Sequence, residues 1–369
     1  MKLKSLLVII LSVAMLGLAD NAEAQRKNKY QKRRKTNKKI SHYKGGIRGY
    51  GRFEPYIFVG GNINAGNYFG DLAPVNKAAS TDISFTRPGF GLYGGYKFHH
   101  SLAVTAGINW VRVFGDDFAS DPGSEDGFPR YARNLSFRND IKEFRVALQI
   151  FLLPNYGGPN QRLPFNAYLS LGASVFHHEP KGKVPDFDYQ TDIEGDGVYE
   201  GSNFNPAPQA GEWVKLRPLG TEGQNLGIVE PYKNIGVSIP VAVGAQMRIP
   251  NTQLTAGLEF GIRYLFTDYI DDVSTNYVGL DQFDDDLARI MSDRASVPVS
   301  SKGEARNLTN LRIINNHGQG HNYYIEGNVG TGIDGSKRGN PDDNDMIFVT
   351  QIKVSYVLGS TTRRRAKYR

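Results

Sequence analysis

The chain of 369 residues has no cysteine. That excludes a disulfide framework and a cysteine-linked lipid anchor, so an exported protein of this composition must be held by its core, a membrane or a partner. Beyond the first eighteen residues no apolar run is long enough for a spanning helix. Mean hydropathy is negative, which reads as soluble for most folds. It does not for a β-barrel, where every second strand residue faces lipid and the average hides the apolar half. Acid is also missing from both ends. Residues 26–49 carry eleven Lys or Arg and no Asp or Glu, and the last seven residues, RRRAKYR, carry five more bases. Without these arms and the leader the body is acidic, at about −9.

The N-terminus has a basic start (MKLK), an apolar stretch at 5–18 and an A-x-A site at 22–24. This predicts a secretory signal peptide over 1–24. The basic segment 25–52 then reads as a solvated, disordered arm, and 359–369 as a basic tail. Export argues against nucleic acid as their partner. Outer-membrane lipid, cell-wall polymer or an acidic protein partner suits them better. The candidate docking residues are Lys32, Arg33, Arg34, Lys35, Lys38, Lys39, Arg363, Arg364 and Arg365.

Between the arms, period-two alternation marks strands at 54–65, 88–98, 102–113, 140–153, 165–176, 235–249, 252–266 and 346–358. In LTAGLEFGIRYLF (254–266), Leu258, Phe260, Ile262 and Tyr264 share one face and Glu259, Gly261 and Arg263 the other. Pro240 interrupts the sixth strand and predicts an irregularity or bulge. Connections alternate long and short along the whole chain: 66–87, 99–101, 114–139, 154–164, 177–234, 250–251 and 267–345. A barrel inserted from one side requires this parity, whereas a soluble sandwich gives no reason for it. The expectation is an all-β fold: an eight-stranded antiparallel transmembrane β-barrel over 53–358, with long extracellular loops. Its apolar face meets lipid. Lys97, Glu143, Arg145, Gln149, Arg248, Glu259, Arg263 and Lys353 face a lumen too narrow for a pore, where opposite charges pair. Tyr56, Phe98, Trp110, Tyr264 and Phe266 are placed in aromatic girdles.

Other signals point to chemistry less well. Gly89, Gly91 and Gly94 spell G-x-G-x-x-G, but inside a strand with no following helix, where relief of crowding explains them better than a nucleotide. DIEGDG (192–197) begins like a calcium loop yet has Asn203 where a bidentate Glu belongs. Acids at 268–272 and 284–286 read as solvated loop carboxylates in preference to a metal site. The pairs His99-His100 and His177-His178 are poor chelates, because neighbours on a strand point apart. Ser174, His177 and Asp192 lack the spacing of a catalytic triad. No enzyme, cofactor or metal is expected. Phe283, Leu287, Ile290 and Met291 fall on one face of a predicted helix within 280–294 that packs over the barrel mouth or offers itself to a partner.

Three stretches, NYFGDL (67–72), RYLFTDYIDDVSTNY (263–277) and GNPDDNDMIFVTQIKVSY (339–356), resemble the Bacteroidota outer-membrane barrels typified by PorG of the type IX secretion system. The likeness covers roughly 53–358. It rests on Tyr68, Phe69, Gly70 and Asp71 after the first strand, and on Phe266, Thr267, Asp268, Tyr269, Asp271 and Asp272 after the seventh. It implies a non-catalytic barrel, with termini in the periplasm, anchoring or scaffolding a secretion or gliding assembly beside PorK/PorN-like ring proteins. The basic arm and the inserts at 177–234 and 278–340 exceed the compact pattern. The alternative is a barrel enzyme or a ligand-binding surface protein that uses its long outer loops.

Overall fold

The structure, a computed structural model, describes residues 53–73, 87–120, 127–190, 204–295, 297–306, 311–315, 321–325, 328–331 and 334–358. The signal segment, all nine candidate docking residues of the arm and tail, and the 192–197 loop lie outside these. Eight strands form the barrel: β1 (Tyr56–Phe69), β2 (Arg87–His99), β3 (Leu102–Asp116), β4 (Ser136–Phe151), β5 (Phe165–His177), β6 (Ile235–Arg248), β7 (Leu254–Leu265) and β8 (Met346–Leu358). Each pairs antiparallel with its sequence neighbours, and β1 closes on β8 from Ile57↔Leu358 to Phe69↔Met346. Closure leaves no open edge among these strands, so the ladder bonds are made within the wall.

The polarity of the wall is that of a protein standing in a bilayer. Ile63, Phe90, Leu92, Ile235 and Ile352 are each more than 60% exposed, inside a belt that also holds Ile57, Ile108, Phe144, Leu171, Val243 and Phe260. Water would not tolerate a continuous apolar surface of that extent, whereas lipid requires it. The inward residues are buried: polar at mid-height, aromatic nearest the short turns and largely apolar toward the loop end. All the charges expected in the lumen face it: Glu259 and Arg263 are 1% and 4% exposed. Phe98 and Phe266 are exposed and Trp110 packs against Phe90 at 5.2 Å, as girdle positions should. Tyr56 does not join them. It is buried inside the barrel with Phe58, Phe151 and Tyr168, because its parity in β1 matches the inward residues Phe58, Asn62 and Asn64.

Pro240 produces no bulge. The β5–β6 register is continuous on both sides of it, with the ladder unpaired at Ile239 and Pro240. The register shift in the barrel falls instead near His99, at the β2–β3 turn. There the rings of His99 and His100 lie 3.7 Å apart, not on opposite faces, since strand alternation ends at that turn.

At the loop end β3 and β4 run past the apolar belt and are covered on both faces by the long connections. These contain the helices α1 (Gly127–Arg133) and α2 (Asp286–Ser292) and short strands such as Lys181–Lys183 and Trp213–Lys215. The Asp285 side chain caps α2 by accepting from Leu287 N at 3.2 Å. The expected apolar face of α2 is buried by its own chain, with Leu287, Ile290 and Met291 against Val184, Val214 and Leu216. It packs against the short strands of the loops and is not displayed to a partner, and Phe283, expected on the same face, precedes the helix and packs with Val278 and Ala288.

Candidate functional site

The lumen is filled in three layers. Nearest the short turns lie the aromatic rings of Tyr56, Phe58, Phe151 and Tyr168. Above them is a polar layer. Glu259 accepts from Lys353 Nζ at 2.8 Å, from Arg145 at 3.0 Å and from the Tyr168 hydroxyl at 2.8 Å. Glu143 accepts from Arg263 at 3.2 Å and from Asn109 at 3.2 Å, and Asn62 donates to Asn109 at 3.0 Å. Glycines make this layer possible: a Cβ at Gly91 would collide with Asn109, and one at Gly244 with the Tyr168 ring. Of the G-x-G-x-x-G glycines, Gly89 and Gly91 thus relieve crowding in the wall, whereas a Cβ at Gly94 would meet only ordinary contacts. The top layer is apolar, with Tyr68, Val113, Phe137, Phe176, Ile270, Val273 and Ile347 forming one cluster. Voids of about 30 and 20 Å³ near the short turns hold a water or two.

The loop end holds the motif residues singled out in the sequence, and the structure brings the two segments together. The Tyr68 hydroxyl is 2.7 Å from Asp271 and 2.5 Å from Asp345. Asp271 also accepts from the backbone N of Leu72 and Val273, and Asp345 from the backbone N of Ile270. The Asp71 carboxylate takes the N–H of Asn340 at 2.6 Å. Asp272, fully buried, accepts from Thr221 and Tyr232, each at 2.5 Å. Gly70 is pressed between Tyr68 and Asp345, where a Cβ would strike both. Phe69 and Phe266 are exposed on the wall, Thr267 caps the turn by accepting from Tyr269 N at 3.2 Å, and Tyr269 stacks on Tyr232 at 4.6 Å.

Two arginines tie this knot to the rest of the crown. Arg133 of α1 forms a two-pronged pair with Asp117 at 2.7 and 2.9 Å and donates to the carbonyls of Asp71 and Arg338. Arg338 donates to Glu222 at 2.9 Å and to the Asp272 carbonyl at 2.6 Å. Glu222 in turn accepts from the backbone N of Ser274 and Thr275.

The acids at 268–272 are thus not the solvated carboxylates that their loop position suggested. Asp268, Asp271 and Asp272 are 8%, 1% and 0% exposed. Burial pushes the carboxyl of Asp268 up to about 8, that of Asp271 to about 7 and that of Asp272 to about 6. Asp345 is raised too, by burial and then by the nearby Asp271. The geometry gives the reason. A phenol has one proton, so Tyr68 can donate to only one of its two carboxyl neighbours. The other contact is favourable when that carboxyl is itself protonated and donates back.

No three His, Asp or Glu side chains among the described residues form an arrangement that could hold a metal ion. The Ser174 and His177 pair is not assembled into a catalytic site. Ser174 faces the lumen, 2.6 Å from Ser238, while His177 faces outward on the same strand. Asp345, Glu222, Arg133 and Arg338 were not singled out in the sequence. Asp345 lies within the third resembling stretch; the other three carry no local signal.

No family model and no curated protein matches the chain. Solved structures similar to it include Ail, the attachment invasion locus protein of Yersinia pestis, at 9% identity over 82% of this chain and 97% of that one, with a TM-score of 0.28. Neisserial surface protein A gives 8%, 82%, 98% and 0.28. A major outer membrane protein from Thermus thermophilus gives 10%, 82%, 99% and 0.30. Scores of this size add nothing to the fold, which rests on the closed ladder of eight strands and the apolar belt.

Proposed function

We propose that this chain is a non-catalytic outer-membrane barrel that anchors or scaffolds a type IX secretion or gliding assembly through its periplasmic face. The observation that carries the reading is the filled lumen. A barrel whose central layer is packed with paired charges and capped by an apolar cluster offers neither a conduit nor, among the described residues, a catalytic constellation, so its use lies at its ends. The resemblance of the three stretches to PorG-type barrels supports the type IX setting, and the bonding of Tyr68 to Asp271 and Asp345 gives those stretches one shared structural task.

An even strand number leaves both arms on the side of the short turns, which the export route makes periplasmic. The bases of 32–39 and 363–365 then act as electrostatic strips that speed encounter with PorK/PorN-like ring proteins or cell-wall polymer. Exposed charges alone give salt-sensitive, modest affinity, so turns such as 152–164 supply the remaining contact.

A tagged full-length protein, extracted in detergent, should co-purify periplasmic ring components. Deleting 26–49 or raising salt should weaken the capture. Capture of no periplasmic partner, together with intact secretion in a strain lacking the protein, would remove this reading and favour a ligand-binding surface protein.

A further inference from the structure

Three cations line one void at the short-turn mouth of the barrel, and no acid lines it with them. Lys97 is 2% exposed, and among the described residues its ammonium has no hydrogen bond or ion pair. It sits over the Phe151 ring, 4.0 Å from the centroid. Arg162, in the 152–164 connection, is oriented by the carbonyls of Thr252 and Gln253 and the hydroxyl of Thr255, each at 3.1 Å. Arg248, at the end of β6, reaches the Arg162 carbonyl at 3.5 Å. The Nε of both arginines is buried without a partner. All three side chains line the same void of about 30 Å³, along with Tyr56, Asn155 and Asn166, and no Asp or Glu lines it.

The chain supplies no acid to cancel this charge. Turns 100–101, 152–164 and 249–253 contain no Asp or Glu, and neither do the flanking stretches 25–53 and 359–369. Glu54 is the nearest acid: its side chain packs against Gly158 of the 152–164 turn, but it is exposed and does not line the void. The polar layer above shows what the same wall does elsewhere: every acid there is bonded to Arg or Lys. Desolvating cations without a partner is unfavourable. An anion that supplied oxygens to the Lys97 ammonium and to the guanidinium edges that line the void would offset that cost. The void has room for the oxygens of one carboxylate or phosphate and for little more.

We propose that the short-turn mouth is an oxyanion-binding site, taking one carboxylate or phosphate group between Lys97, Arg162 and Arg248. The group arrives either as a free anion or on an acidic side chain of a protein seated on this end. The proposal rests on the mouth alone and needs no particular assembly.

The test uses purified full-length barrel in neutral detergent at constant ionic strength, with labelled inorganic phosphate in equilibrium dialysis. One saturable site is expected, with acetate competing and chloride competing poorly. K97M and R248Q should each weaken binding by roughly tenfold, the loss of one charge-assisted hydrogen bond. Heat-modifiable gel mobility reports that each variant remains folded. A Glu-rich peptide that displaces phosphate at micromolar concentration identifies a protein side chain as the source, and one that does not identifies a free anion; either outcome keeps the site. Absence of saturable phosphate binding overturns the proposal. So does binding that K97M and R248Q leave unchanged, or binding lost only when the arm 26–49 is deleted.

Discussion

The phenol of Tyr68, near the end of the first barrel strand, lies 2.5 Å from the carboxyl of Asp345, immediately before the last. Its other neighbour, Asp271 at 2.7 Å, comes from the connection between β7 and β8. One hydroxyl thus joins the first strand to both ends of the longest loop. Tyr68→Phe keeps the ring, which packs on Phe137 at 4.8 Å, but leaves two buried carboxyls short of a partner. A cost of about 1–3 kcal/mol is expected, confined to the crown. Limited proteolysis should cut the 266–345 connection faster in the variant, while the heat-modifiable shift of the barrel persists. Unchanged protection would show that the hydroxyl contributes nothing.

The crown should be most stable on the acid side of neutrality. In the unfolded chain an aspartate titrates near 3.9, whereas the folded values of Asp272, Asp271 and Asp268 run up to about 6, 7 and 8. The folded state therefore holds more protons between about pH 4 and 8, and its stability falls as pH rises through that window. Amide exchange in the crown, corrected for intrinsic rates, should show less protection at pH 8 than at pH 5.5. Asp268→Asn should flatten the dependence. A crown better protected at pH 8 would reverse the sign and refute the assignment.

Glu259 is the counter-charge of both Lys353 and Arg145. Glu259→Gln strands two buried cations and should destabilise the barrel by about 3–5 kcal/mol. Urea unfolding in lipid vesicles measures this. E259Q with K353M should recover much of the loss, because it removes one of the two stranded charges. Equal destabilisation of the single and double variants would show that the ion pair is not the cause.

The filled lumen predicts electrical silence. Purified protein in planar bilayers should give no stable large conductance at either polarity. A porin-like step would mean that the packed layers open in the membrane.

The barrel was legible in the sequence because lipid and lumen impose opposite demands on alternate residues, and eight segments met both. Strand ends were less so. β3 continues to Asp116 and β4 begins at Ser136, beyond the belt, where both faces are covered and alternation loses its meaning. Tyr56 was assigned to the outer girdle on its position near a strand end, whereas parity with Phe58 takes it inward. The acids at 268–272 read as solvated because loop carboxylates usually are. Their burial depends on Tyr68, Tyr232, Arg133 and Arg338, which are remote in sequence and announce nothing locally. The unpaired state of Lys97 is likewise invisible in one dimension, since absence of a partner is a property of the assembled mouth.

The crown also dictates an order of events in biogenesis. Its bonds run from Tyr68 and Asp71 to Arg133, Glu222, Asp271, Arg338 and Asp345, so each of the four long connections contributes. The crown is complete only when all four connections and the start of β8 are in place together. A chain that stopped before β8 would therefore lose its pairing to both β1 and β7 and, with Asp345, the carboxyl that ties Tyr68 into the crown, leaving the four connections open to a protease.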